Sequence, residues 1–109
     1  MPNDQDMSID HQTGPSDREK SLRLLNDTHD FPTPVMFKVI GRNVDKFAAR
    51  VVVKIRSELN LEVDPEFRVR ETAAGRHISV TVEPEIQCAE QVLAVYECLR
   101  DVEGVVLLM

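Results

Sequence analysis

The sequence has no tryptophan, one tyrosine and four phenylalanines. So few rings argue against a surface that works by stacking nucleobases. Glycine is as scarce, with four residues spread over 109, and no phosphate-cradling Gly-rich loop can be drawn from them. There are two cysteines, Cys88 and Cys98, and three histidines, His11, His29 and His77. No Cys-x-x-Cys, His-x-x-x-His or His-Glu-x-x-His spacing occurs, so a zinc site lacks its ligand pattern. Long apolar runs are missing too. The longest is 105–109, against the ~18 residues of a membrane span. The first 29 residues hold no apolar run of signal-peptide length. The expectation is a soluble cytoplasmic protein with reduced thiols and no membrane partner.

Positive charge is the minority sign. Lys and Arg number 13 against 19 Asp and Glu, a net charge of -6. That balance argues against a general nucleic-acid or anionic-membrane binder, because phosphate affinity needs excess cations. What is present is ordinary globular material: 42% hydrophobic and 29% charged residues rule out wholesale disorder. The length suits one domain.

Composition shifts near residue 30. Residues 1–29 carry three basic and six acidic side chains and few apolar ones. Too little surface can be buried there to offset the ordering entropy, so 1–29 reads as a mostly disordered acidic tail, with 1–15 fully so. Ser16-Asp17-Arg18-Glu19 has capping-box spacing, and Leu22 and Leu25 follow three residues apart, which allows a short helix over 17–25.

From residue 30 the pattern tightens. Phe31-Pro32-Thr33-Pro34 excludes helix. Residues 35–40 read as a strand that Gly41 ends. Asn43 is the expected N-cap of a helix to about residue 59, with Val44, Phe47, Ala48, Val51, Val52, Ile55 and Leu59 on one face. Phe67 and Val69 alternate with Arg68 and Arg70; Ile78, Val80 and Val82 alternate with His77, Ser79 and Thr81. Both have the period of half-buried strands, joined as a hairpin. Pro84 is the expected start of a second helix, with Cys88 in its apolar arc and Cys98 at the arc's edge. Gly104 ends it and frees 105–109 as a last strand. The order β-α-β-β-α-β predicts an α+β, ferredoxin-like two-layer sandwich over 30–109. Its antiparallel sheet should run in spatial order 4-1-3-2 with both helices on one side.

Three stretches together carry a resemblance. Phe31-Pro32-Thr33-Pro34 with Phe37-Lys38-Val39-Ile40-Gly41, then Gly75-Arg76-His77-Ile78-Ser79-Val80-Thr81, then the Gln91-Val92 helix and the apolar C-terminus resemble the YbeD-like family, domain of unknown function 493. Where relatives usually carry Tyr, this chain has His77. The resemblance implies a small bacterial protein with an ACT-like regulatory fold, whose units pair and bind small molecules near the turn after the first strand. It also carries a circumstantial link to lipoate metabolism.

Residue chemistry gives no reactive constellation. Ser79 has no nucleophile elbow around it, and Glu62, Asp64 and Glu66 alternate along a connector as a solvated charge run. The expectation is therefore no enzyme, no cofactor and no metal. The candidate ligand turn is Gly41, Arg42, Asn43 and Asp45, at a predicted helix N-terminus that offers free N–H groups to an anion. The open sheet face is the candidate interface. Met36, Lys38 and Ile40 should point away from the helices, as should Arg68, Arg70, His77, Ser79 and Thr81. The last strand is apolar on both faces, so either 105, 107 and 109 or 106 and 108 point outward. The interface candidates are Met36, Ile40, Val106 and Leu108. Such a patch is expected to be covered by a second subunit, by the segment with Leu22 and Leu25, or by a partner.

The first functional expectation is a non-enzymatic regulatory module that binds a protein or small metabolite as a homodimer. Two alternatives stand beside it. One is an RNA-binding βαββαβ module; the compact domain's ten basic against 13 acidic residues weigh against it. The other is an acylphosphatase-like hydrolase using Arg42 and Asn43.

Overall fold

A computed structural model describes residues 16–109 of the chain. The expected disorder of 1–15 lies outside the described residues. The chain divides into two units between Asp30 and Phe31. In the first, helix α1 spans Asp17–Thr28. Its start is set by a reciprocal capping box: the Glu19 amide donates to Ser16 Oγ at 3.0 Å, and the Ser16 amide donates to Glu19 Oε1 at 2.8 Å. Two otherwise orphaned donors are thereby satisfied. The helix ends at His29, whose backbone is extended.

The second unit, Phe31–Met109, holds the elements β1 (Thr33–Pro34), β2 (Phe37–Arg42), α2 (Phe47–Glu58), β3 (Phe67–Glu71), β4 (His77–Val82), β5 (Glu85–Ile86), α3 (Ala89–Arg100) and β6 (Val105–Leu108). The fold is α+β, as the sequence leads one to expect. The larger sheet runs β3-β4-β2-β6, and every pairing in it is antiparallel. Alternation buries Phe37, Val39, Val80 and Val82 on one side, beneath the helices. From the helices, Phe47, Val51, Val52 and Ile55 of α2 and Val92, Val95 and Leu99 of α3 complete the core. Phe37 meets Tyr96 edge-on, with ring centroids 5.1 Å apart. The opposite side of the sheet carries no helix of this unit.

Several local expectations are corrected. Pro84 does not open a helix. It is buried, its carbonyl accepts from the Val35 amide at 3.0 Å, and Glu85–Ile86 pair with Thr33–Pro34 as a second, two-stranded sheet. Proline suits an extended segment as well as a first helical turn, and the partner strand decides. Helix α3 therefore starts at Ala89, and Cys88 is its exposed N-cap, outside the apolar arc. Cys98, expected at the arc's edge, is buried.

Asn43 does not cap α2, and the preceding strand runs one residue past Gly41. The N-cap is Lys46, which like Asp45 sits at positive φ. The reason is a longer-range contact. Asn43 donates its side-chain amide to the Gly75 carbonyl at 3.0 Å and its backbone N–H to the Arg76 carbonyl at 2.9 Å, which fixes it to the β3–β4 turn. Arg50 holds the strained stretch: Nε donates to the Asp45 carbonyl and Nη1 to the Glu103 carbonyl, both at 2.9 Å.

The last correction concerns β6. Its register shifts between Ile40 and Gly41, so Val105 faces Gly41, Leu107 faces Ile40 and Leu108 faces Val39. Val106 is the extra residue of a bulge. A bulge resets side-chain alternation, and neither set of alternate residues expected for this strand survives. Leu108 belongs to the helix side with Val39. The outward residues are Leu107, beside Ile40, and Met109, whose backbone exchanges hydrogen bonds with Lys38.

Candidate functional site

The candidate ligand turn is taken apart by the fold. Gly41 is buried on the helix side, where an added Cβ would overlap the Phe47 ring. Arg42, the next residue along the strand, is exposed on the opposite side and paired in register with His77. Asn43 is committed to the hairpin turn and the Asp45 carbonyl to Arg50. The four residues do not converge on one point.

The open side of the larger sheet gathers more chemistry. The registers set its side chains in rows across the strands. One row runs Arg68, Thr81, Lys38 and Met109; the next runs Arg70, Ser79, Ile40 and Leu107. The β3 half is thus cationic and hydroxylated, and the β6 half is apolar. Lys38, Arg68, Arg70, Ser79 and Thr81 line a concavity of about 310 Å³. Arg68 makes a 3.5 Å ion pair with Glu83. Among the described residues, Lys38 and Arg70 have no carboxylate within 4.0 Å.

On the apolar half, Val106 is 59%, Leu107 48% and Met109 50% exposed, and Met36, just before β2, is 53% exposed. Of the four interface candidates, Met36 and Val106 are exposed and Ile40 is half-buried between Ser79 and Leu107, while Leu108 lies on the helix side. Sequence reasoning turned Lys38, Arg68, Arg70, Ser79 and Thr81 outward without singling them out as a site. The signal was at hand in the expected order 4-1-3-2, which sets these strands side by side and makes five scattered polar residues one patch.

A second concavity, about 580 Å³, lies between the outer face of α2 and the turn after α3, lined by Ala49, Val53 and Ser57 among residues of both charge signs. Burial pushes the Cys98 thiol up to about 11, helped by the nearby Glu58 carboxylate. Its Sγ donates to the Val95 carbonyl, so it is a packed, protonated thiol. Among the described residues, no group of three or more His, Cys, Asp or Glu is placed to hold a metal ion. No helix among them is long and apolar enough to cross a membrane.

Residues 26–109 match the family model described as "Protein of unknown function (DUF493)". The chain belongs to the DUF493 family. Among its relatives is a UPF0250 protein of Shewanella amazonensis, 29% identical over 86 residues, covering 75% of this chain and 96% of the relative. Another is a UPF0250 protein of Shewanella woodyi, 30% identical over 81 residues, covering 74% and 90%. Neither the family description nor these names states an enzymatic activity.

Proposed function

We propose that this DUF493 chain is a non-enzymatic regulatory or binding module that assembles as a homodimer and presents its open sheet face to a ligand. The observation that carries the reading is the β6 edge. Val105–Leu108 has no charge and no proline, its outer edge pairs with nothing among the described residues, and Val106 and Leu107 stand exposed on it. An edge of this kind is a template for another strand. Two copies related by a twofold axis can pair β6 with β6 antiparallel and extend two four-stranded sheets into one of eight, an isologous contact. The apolar half of the open face, with Ile40, Leu107 and Met109, would become the centre of that sheet. The cationic halves would lie at its two ends, open to ligand. The cytoplasm is the compartment in which Cys88 and Cys98, both free thiols, stay reduced.

Light scattering coupled to size exclusion tests the assembly. The full chain at about 100 µM, a concentration at which a micromolar dimer is fully formed, is expected at twice its 12.4 kDa mass. Val106→Lys with Leu107→Lys is expected to return it to the single-chain mass, because lysine on an edge opposes strand addition. A single-chain mass for the unmodified protein would contradict the dimer.

A further inference from the structure

We infer that the concavity on the β3 half of the open face is a binding site for the phosphate group of a small phosphorylated metabolite. The inference rests on the binding-module reading and does not need the dimer.

The lining residues supply donors from three directions. Arg68 and Arg70 are two apart on β3, so their side chains leave the same face about 7 Å from one another. Lys38 rises two strands away, about 10 Å across the sheet. Ser79 and Thr81 of β4 lie between them, opposite Arg70 and Arg68. Two guanidinium forks, one ammonium and two hydroxyls thus line, with Val69, a hollow of about 310 Å³. Glu66 and Glu83 are paired across the strands at the end of this hollow, and Glu83 is held by Arg68 at 3.5 Å.

The donor set selects the ligand chemistry. A lone carboxylate needs one arginine fork. A phosphate monoester carries close to two negative charges and three acceptor oxygens, which match several cationic donors set around it. The charges also stand against the chain's net of -6. A solvated basic face is an unremarkable feature of a basic protein. Here three cations share one hollow on an acidic protein, and two of them lack a carboxylate partner among the described residues.

Size and stacking separate this reading from nucleic acid. The hollow is the volume of a small molecule. The outward residues of β2 and β4 are Lys38, Ile40, Arg42, His77, Ser79 and Thr81, with no Phe, Tyr or Trp to stack a base. The exposure of the cations sets the strength: Arg68's side chain is 64% exposed, so the contacts are screened by salt.

The test is a ¹H–¹⁵N NMR titration of the full-length protein with glycerol 3-phosphate, with citrate and a single-stranded oligonucleotide as comparison arms. Glycerol 3-phosphate is expected to shift the Arg68, Arg70, Ser79 and Thr81 amides saturably in the millimolar range. Arg70→Ala and Lys38→Ala should each weaken the binding about tenfold, the loss of one charge-assisted contact. Each variant's undisturbed spectrum elsewhere confirms that it is folded. A saturable response from citrate alone at these amides would keep the face as a binding surface and overturn the phosphate assignment. Oligonucleotide binding far tighter than glycerol 3-phosphate, with the same amides shifted, would overturn it in favour of a nucleic-acid surface. If no ligand shifts these amides, both the site and the binding role of this face fall.

Discussion

The larger sheet has two outer strands, and they are built on opposite plans. β3, Phe67–Glu71, places Arg68, Arg70 and Glu71 on five residues. β6, Val105–Leu108, is Val-Val-Leu-Leu. Both are short and both are edges. Charges along an edge repel a second strand, whereas a bare apolar edge invites one. Under the proposed function, one sheet divides two tasks. On the proposed reading the charged edge stays single, which leaves its arginines available to a ligand. The uncharged edge is the one suited to pairing. The helix side shows how open the β3 edge is: Val69 of β3 and Val39 of the inner strand β2 sit on the same face, yet Val69 stands nearly half exposed and Val39 is fully buried.

Gly41 lies in β2, which links the two halves, and it packs against Phe47 and pairs with Val105. Gly41→Ala is expected to cost about 1–3 kcal/mol through overpacking. That lowers the melting temperature by roughly 4–8 °C per kcal/mol in a domain of this size. Scanning calorimetry reads it, and an unchanged melting temperature would deny the close packing. A smaller effect sharpens the contrast of the edges. Arg68→Val with Arg70→Val should turn β3 into a second adhesive edge, seen as light scattering that grows with concentration beyond that of the unmodified protein. Unchanged scattering would mean that the arginines do not guard that edge.

The smallest effect concerns the thiols. Cys88, exposed, should react with iodoacetamide under native conditions, and Cys98, buried, should not; mass spectrometry counts the adducts. The folded Cys98 keeps its proton up to about pH 11, against an ordinary value of 9.0. The unfolded chain releases that proton first, so folding stability is unaffected below about pH 9 and falls between there and about 11. Tyr96, raised by burial, acts in the same direction. Denaturant midpoints measured across that range check the sign.

Most of the frame was legible because it is periodic. The 3.6-residue stripe of Phe47, Val51, Val52 and Ile55 and the two-residue beat of Ile78, Val80 and Val82 are local signals, and the structure buries all seven. The misreadings share one cause, long-range partners that local rules do not contain. Asn43 has the chemistry of a cap and is claimed by the Gly75 carbonyl, 32 residues away. Pro84 suits a helix start and is claimed by the strand partner of Thr33–Pro34. The run 105–109 is apolar at every position, so it carries no phase of its own. The bulge at Val106 then sends Leu107 outward and Leu108 inward. The candidate site was half legible for the same reason. Alternation and the expected strand order gave each residue its side of the sheet and its neighbours, while the depth of the concavity is a tertiary fact.

Amide hydrogen exchange of the full-length protein, followed at two concentrations about a hundredfold apart, compares the two edges directly. The β6 amides are expected to gain protection at the higher concentration while β3 amides exchange at the same rate in both. Protection of β3 that rises with concentration, or β6 exchange that ignores it, would contradict the division of the sheet.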